Sequence, residues 1–355
     1  MITLDPSKTP IVIVNWNGMD DTVECVQSMR RQTSKDYFIY LVDNGSTDGS
    51  AKFLSEKYGQ DSDLHFIENE VNLGFTRANN RIMQMILEAE DLPKYIVLLN
   101  NDTVVAEYWL EELVASAERH EADMVASKMV DYFNPGLMDN AGHFMLTTGE
   151  IISIGHQEPV DDFNKGFENL GGCGGGVLYA TQMLKDIGTF DEYFTTGYED
   201  AELGLRAVLT DHKCWYEPKA LVYHKMGQSI KKVFGAEYII NVQKNIWYAY
   251  FKLMPISNIF LTIPSWIFKY STLTLIYLMF WRMDMLKIQY RAIWRIFISD
   301  FKVLKESRRK FQEKHRTIGS WDIRRKQVFF LWFDIRRFVK YFILRKGKFF
   351  EKYQS

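Results

Sequence analysis

Two acidic motifs lie about a hundred residues apart in this chain. Asn100-Asn101-Asp102-Thr103 closes the apolar run Tyr95–Leu99, and Tyr198-Glu199-Asp200 follows Gly197. A carboxylate at the carboxyl end of a buried strand can hold a divalent cation against a diphosphate. A second carboxylate, brought close by the fold, can take a proton from an attacking hydroxyl. Together the motifs point to transfer of a group from a diphosphate-activated donor to an alcohol.

Asp102 is the metal candidate. Magnesium and manganese take one or two carboxylates plus phosphate oxygens and water. Asn at positions 100 and 101 leaves Asp102 as the motif's one acid. The same Asp would also serve as the N-cap of a helix beginning near Val104. Glu199 and Asp200 open Ala201–Arg206, which reads as a helix start, where the dipole stabilises acids by about 0.3–1 kcal/mol. That dipole favours a charged carboxylate at Asp200, as a general base requires. Arg206 lies six residues on and is not expected to stack on Asp200. His224, with Lys225, Gly227 and Ser229 beside it, follows the apolar run Ala220–Val222 and is either a polar strand end or a contact to the diphosphate or metal. Asp43-Asn-Gly-Ser-Thr-Asp48 sits between a strand and a helix. Its Asp43 can accept hydrogen bonds from a base or ribose, or the segment is a turn.

Positioning these residues requires a sheet. Ile11–Val14, Phe38–Val42, Leu64–Ile67 and Tyr95–Leu99 read as strands, with Met124–Ala126 as a fifth. Between them lie helical patterns at 21–32 (capped by Asp20), after Ser46 or Asp48, at 76–90 and at 105–120. The alternation predicts an α/β fold, a mostly parallel sheet with helices on both faces. Asn15-Trp-Asn17-Gly18, Asp43–Ser46 and Asn100–Asp102 then emerge at one sheet edge, where ligands bind. From 131 to 235 the rhythm fades. Leu170-Gly-Gly-Cys-Gly-Gly-Gly176 predicts backbone that turns tightly and approaches a ligand, or else a flexible loop.

As an ordered set these motifs resemble the inverting family 2 glycosyltransferases of the GT-A fold, and within them the rhamnosyltransferase-type branch of bacterial surface polysaccharide synthesis. The resemblance covers about residues 9–230. It implies that Asn15 and Asn17 belong to the first nucleotide loop and that Asp43 contacts the base and ribose. It implies that Asn72-Leu-Gly74-Phe75, Arg77 and Asn80 form the family's Asn-x-Gly element, and that Asn101 and Asp102 fall at its metal triplet. Phe190, Asp191 and Glu192 through Asp200 would form the acceptor side, with Asp200 as base, Glu199 beside it and His224 near the diphosphate and its Mg2+ or Mn2+. The implied reaction moves a sugar, rhamnose from dTDP-rhamnose, onto a lipid-linked saccharide by single displacement. A UDP-hexose or UDP-N-acetylhexosamine donor is the alternative, and a non-catalytic nucleotide-sugar-binding scaffold is the alternative of another class. A dinucleotide oxidoreductase is disfavoured, because no G-x-G-x-x-G follows the first strand.

The chain has 355 residues, ample for a large core. Its formal net charge of −2 hides a split. Residues 256–355 hold 22 Lys+Arg against 7 Asp+Glu, a net of +15, and residues 1–255 carry the balancing −17. An acidic body joined to a basic, aromatic tail implies chemistry in the first and an anionic surface met by the second. From Leu253 to Trp281 Lys269 alone is charged. Pro255 and Pro264 break the run, leaving Ser265–Trp281 as its uninterrupted part. Leu286, Tyr290, Ile293, Phe297, Phe301 and Leu304 then recur at helical spacing, with Lys287, Arg291, Arg295 and Lys302 on other faces. Trp321–Phe350 repeats the mixture. The pattern predicts helices lying in a membrane interface. Packing on the core or on a second copy of the chain, and a true span, are the alternatives, while nucleic-acid binding is a poorer account of so much aliphatic bulk. The expected division is a catalytic domain at 1–235, split near 130 into nucleotide and acceptor parts, and a helical membrane-associating region at 236–355. No secretory signal is expected from the first residues, and three Cys without paired or metal spacing fit a reducing compartment at the cytoplasmic face of the membrane.

Overall fold

The computed structural model describes residues 5–195, 197–225, 235–315 and 317–338. Gly227, Ser229 and the end of the basic tail lie outside these residues.

The apolar runs fold as expected into a mixed sheet. Its backbone is β1 (Thr9–Asn15), β2 (Tyr37–Asn44), β3 (Leu64–Asn69) and β4 (Tyr95–Asn100), all parallel, with β4 and β2 flanking β1. β5 is a short strand, Thr103–Val105. Next comes β6 (Met124–Asp131), joined to β4 through the antiparallel β11 (Gly176–Ala180), and then β12 (Cys214–His224), parallel to β6. Register does the first part of site assembly. It sets Asn15 opposite Asp43, Val14 opposite Asn100, and His224 opposite both Asp131 and Thr103. The carboxyl ends of six parallel strands therefore share one edge.

Side chains alternate across β1. Val12 enters a core with Tyr40 and Leu98, while Ile11 and Ile13 enter one on the other face with Ile39 and Leu99. Helices α1 (Met19–Arg30), α2 (Ser50–Tyr58) and α4 (Trp109–His120) cover the second face. Helices α3 (Gly74–Leu87), α5 (Thr181–Ile187) and α6 (Glu199–Leu209) cover the first. Three helix starts differ from expectation. Gly18, not Asp20, occupies the cap position of α1, and Asp20 and Asp21 fall in its first turn, where the dipole favours them. Gly49 precedes α2, and Asp48 instead accepts from the Ser50 N–H (3.0 Å) and hydroxyl (2.5 Å). α4 starts at Trp109, because Thr103–Val105 pairs with β12 rather than winding into a helix.

Between β6 and β11 the chain makes short strands β7 (Met138–Asn140), β8 (His143–Leu146), β9 (Ile151–Ser153) and β10 (Phe167–Glu168). β7 pairs with Met129 and Val130 of β6, and β11 pairs with the earlier residues Met124–Ala126. Because β12 takes the other edge of β6, β7 and β11 share one edge in succession and part at the glycine segment.

That segment is spent largely on the protein's own backbone. A Cβ on Gly171 would stand 2.6 Å from Gly204 Cα, and one on Gly204 would stand 2.2 Å from the Leu170 carbonyl oxygen. Gly171 itself has φ +101°, open to glycine at no steric cost. The close approach predicted toward a ligand is made here to α6.

The tail is helical: α7 (Ala236–Leu253), α8 (Ile256–Met279), α9 (Met283–Trp294), a π turn at Arg295–Ser299, α10 (Phe301–Lys314), α11 (Ser320–Arg325) and α12 (Phe330–Phe338). α7 is fastened to the sheet-and-helix body. Lys252 bridges Asp191 and Glu202 at 2.7 Å each, Asn245 donates to the Gly197 carbonyl, and Tyr248 stacks on Tyr193. α8 runs unbroken through Pro264, contrary to the expected interruption. Proline removes one helical hydrogen bond, and burial of Ile259 and Thr262 before it and Tyr270 after it holds the halves in line.

Replacing Gly204 by Ala tests the glycine contact. Helix propensity alone favours Ala by about 1 kcal/mol, but overpacking costs about 1–3 kcal/mol. The clash with the Leu170 carbonyl should win and lower the urea midpoint. An unchanged or higher midpoint would show that α6 can move away.

Candidate functional site

The sheet edge gathers a polar corner. Asn15 Nδ2 donates to Asp43 Oδ2 at 2.7 Å, and Asn15 Oδ1 accepts from the Thr22 hydroxyl at 2.8 Å. The Ser46 N–H donates to Asp43 Oδ1 (2.9 Å), the Asn17 N–H to Ser46 Oγ (2.9 Å) and the Thr47 N–H to Asn17 Oδ1 (2.7 Å). Asn101 Nδ2 reaches Thr22 Oγ1 (2.9 Å) and Asn15 Oδ1 (3.3 Å). Asn15, Asn17, Asp43 and Asn101 are thus one network joining three strand ends.

Asp102 is not a helix cap. The β5–β12 pairing carries it to His224, whose Nε2 lies 3.3 Å from Asp102 Oδ1. The other ring nitrogen, Nδ1, lies 2.7 Å from Asp139 Oδ2. Burial pushes the His224 imidazole down, but the carboxylates of Asp102 and Asp139 outweigh it and hold the ring charged, at about 10. Asp139, buried yet flanked by His156 and His224, is held well below the usual carboxylate range. Lys225, next in sequence, pairs with Asp21 and Glu24 at 2.5 Å each.

The second site lies at the start of α6. Asp200 Oδ2 accepts from the Gly174 N–H (3.0 Å) and Oδ1 from the Ala201 N–H (2.7 Å), so each oxygen is fixed by a backbone donor. The turn into the helix is left-handed at Gly197 (φ 71°) and Tyr198 (φ 85°). For a Tyr that conformation costs on the order of 1–3 kcal/mol and persists only where surroundings impose it. The Ile151 N–H does so, donating to the Tyr198 hydroxyl at 2.6 Å. Asp200, Glu199, His143, Asn140, Ser153 and Cys173 line an open cavity of about 250 Å3. Burial and the Asp200 charge raise the Glu199 carboxyl to about 8, so it is neutral at pH 7, and its Oε2 has no partner among the described residues.

The glycine segment joins the two sites. Gly174 donates to Asp200, and the Gly175 carbonyl accepts from the Asn100 N–H at 3.1 Å.

Other predicted residues sit apart. Both ends of the Asn80 amide are taken by the Phe190 backbone (2.9 and 3.0 Å), so this buried residue ties α3 to the chain before α6 and does not face the corner. Arg77 pairs with Glu192 at 3.4 Å on the surface. Asn72 bonds Asn44 and the Gly74 N–H, shaping the turn into α3. Arg206 binds Glu202 (2.6 Å), not Asp200.

Asp102 suits Mg2+ or Mn2+ as a donor, and His224 does once its Nε2 proton is displaced by the ion; a buried carboxylate behind the ring is the usual support of a metal-binding imidazole. Among the described residues no group of three His, Cys, Asp or Glu could hold an ion by itself. A cation here would take its remaining ligands from phosphate oxygens and water.

Residues 11–188 match the family model described as glycosyl transferase family 2, half of the sequence. The chain belongs to glycosyl transferase family 2. Among relatives of this family, it is 28% identical over 137 residues to the glycosyltransferase GlyG of Streptococcus pneumoniae serotype 4, covering 39% of this chain and 43% of that protein. It is 28% identical over 211 residues to the O-antigen biosynthesis protein RfbC of Myxococcus xanthus, covering 55% of this chain and 16% of that protein. The chain thus spans less than half the length of these relatives. In fold it is similar to the crystal structure of GalNAc-T7 with UDP, GalNAc and Mn2+ (TM-score 0.54, 16% identity, 69% of this chain and 48% of that one). The sheet and helices are the GT-A type.

Two residues at these corners escaped sequence reasoning. Asp139 and His143 lie in an irregular stretch with no strand or helix period around them. Pairing of β7 with β6 is what brings Asp139 to His224.

The state of Glu199 is testable by stability. A carboxyl raised from 4.5 to about 8 favours folding fully below pH 4.5, and that contribution is lost as pH rises toward 8. Glu199→Gln, which stays neutral, should therefore melt a few degrees above the unaltered protein at pH 8 and near it at pH 4.5. A difference independent of pH would mean that folding does not raise the Glu199 carboxyl.

Proposed function

We propose that this chain is an inverting glycosyltransferase acting in surface polysaccharide synthesis, with Asp200 as general base. The single observation that carries the reading is the Gly174-Gly175 link. It sets a carboxylate with both oxygens anchored at a cavity wall, one residue from backbone that binds the nucleotide-side motif. A donor diphosphate would lie along Asn15, Asn17, Asp43, Asn101 and Asp102. An acceptor hydroxyl in the cavity would give its proton to Asp200 as its oxygen attacks the anomeric carbon opposite the leaving nucleotide. Without a cation the charged His224 would face the departing diphosphate; with one, His224 would give up its Nε2 proton and hold the ion together with Asp102, and the ion would then supply the charge stabilisation there. Rhamnose from dTDP-rhamnose is the donor supported by the order of motifs, and the O-antigen relative supports a surface polymer as destination. Removing the base while keeping its shape, Asp200→Asn should lower transfer about 10²–10⁴-fold and leave dTDP or UDP binding by calorimetry unchanged. Near-normal turnover would remove Asp200 from this role, and nucleotide binding without turnover on any donor would favour the scaffold reading. Preference for a UDP-sugar over dTDP-rhamnose would keep the mechanism and change the step.

The same enzyme would dock peripherally on the cytoplasmic face of the membrane, where a lipid-linked acceptor is presented. α8 is long and apolar enough to span a bilayer by length and composition, with 17% of its most apolar window buried. One stripe of it faces the protein: Ile259, Thr262 and Tyr270 are buried, and Lys269 pairs with Glu150 of the β8–β9 turn at 2.5 Å. The opposite stripe, with Phe260, Ile267, Leu275 and Met279, is exposed. A helix bound along one side to a water-soluble domain suits an in-plane position better than a span. Arg291 and Arg295 are engaged by Glu237 rather than left for headgroups, which correspondingly places more weight on apolar contact. Phe260→Glu with Leu275→Glu should abolish flotation with anionic vesicles while the melting temperature holds. Undiminished flotation would place the contact elsewhere.

A further inference from the structure

We propose that Asp139 is a positioning residue for His224, fixing the ring so that Nε2 faces Asp102 and thereby setting this corner's affinity for a divalent cation. The inference rests on the reading that Asp102 and His224 meet a cation with the donor's diphosphate.

Three observations carry it. Asp139 is 9% exposed on β7, between Met138 and Asn140, with Ala141 fully buried just beyond. A carboxylate in such surroundings is unfavourable unless it serves a charged or hydrogen-bonding partner. Its Oδ2 lies 2.7 Å from His224 Nδ1, the shortest contact of the ring, so Nδ1–H donates and the other nitrogen is left for Asp102 at 3.3 Å. Its second oxygen lies 3.4 Å from Nδ1 of His156, a half-exposed residue, so each carboxylate oxygen has its own imidazole neighbour. His224 ends β12 and Asp139 sits on β7. The two strands flank β6 on opposite edges, and the carboxylate spans that gap. A ring held on one nitrogen by a buried carboxylate is oriented before any ligand arrives, and loss of such support typically weakens metal binding about 10–100-fold.

The test uses the full chain. Mn2+ is titrated by the loss of its free electron-paramagnetic signal, with dTDP and in parallel with UDP present, in the unaltered protein and in Asp139→Asn. Melting temperature and metal-free nucleotide binding are measured alongside. The expected result is a Mn2+ dissociation constant raised about 10–100-fold, with metal-free nucleotide binding unchanged. A constant within twofold of the unaltered protein overturns the proposal. Loss of nucleotide binding and of melting temperature together, with Mn2+ affinity preserved, assigns Asp139 to strand pairing alone and overturns it too. If the unaltered protein binds no Mn2+ with either nucleotide, the cation reading fails and this inference with it. Should Asp139→Asn not fold, nitrogen-15 spectra of the unaltered protein with Mg2+ and dTDP decide. A His224 ring protonated on Nδ1 supports the proposal, and one protonated on Nε2 overturns it.

Discussion

The site depends on a backbone approach that tolerates no side chain. Gly171 lies against Gly204 of α6, and three residues later Gly174 gives its N–H to Asp200. Gly175 then receives the Asn100 N–H across the sheet. A Cβ on Gly175 would stand 2.8 Å from the Met129 methyl and 3.2 Å from the Asn100 amide. Larger residues would push α6 outward and part the two acidic motifs. The segment thus fixes both how close α6 comes and which way its first carboxylates point.

Around this contact the protein uses charge in two ways. Beside α6 the buried Glu202 is answered by Arg206 and Lys252, and Lys252 also holds Asp191. A buried charge of one sign is matched there by the other, and the pairs lock the first tail helix to the sheet-and-helix body. At the two polar corners compensation is incomplete. Glu199 has no partner among the described residues for one oxygen and its carboxyl is raised, while the His224 ring sits between two carboxylates that favour its charged form. Unbalanced buried groups of this kind cluster where a ligand completes the set.

The helical tail follows from the same body. Lys269, the lone charge in the long apolar stretch, anchors α8 to Glu150. The neighbouring Ile151 lines the cavity and holds the Tyr198 hydroxyl. The residue that anchors the apolar helix and one that lines the cavity are therefore adjacent in the chain.

Much of this was legible beforehand. Short apolar runs ending in Asn, Asp and Gly determined the parallel strands and the edge at which Asn15, Asp43 and Asp102 meet, because strand period and turn chemistry are local properties. Local pattern also placed Glu199 and Asp200 at the start of a helix. It misjudged Thr103–Val105, whose pairing with β12 outweighs helix propensity, and Pro264, whose neighbours are held by burial. It had no purchase on Asn80, whose amide closes on Phe190 from 110 residues away, or on Asp139, 85 residues from His224. Such partners carry no period or spacing in the sequence. They are chosen by strand order and by which backbones can touch, and these are fixed only once the whole sheet has formed.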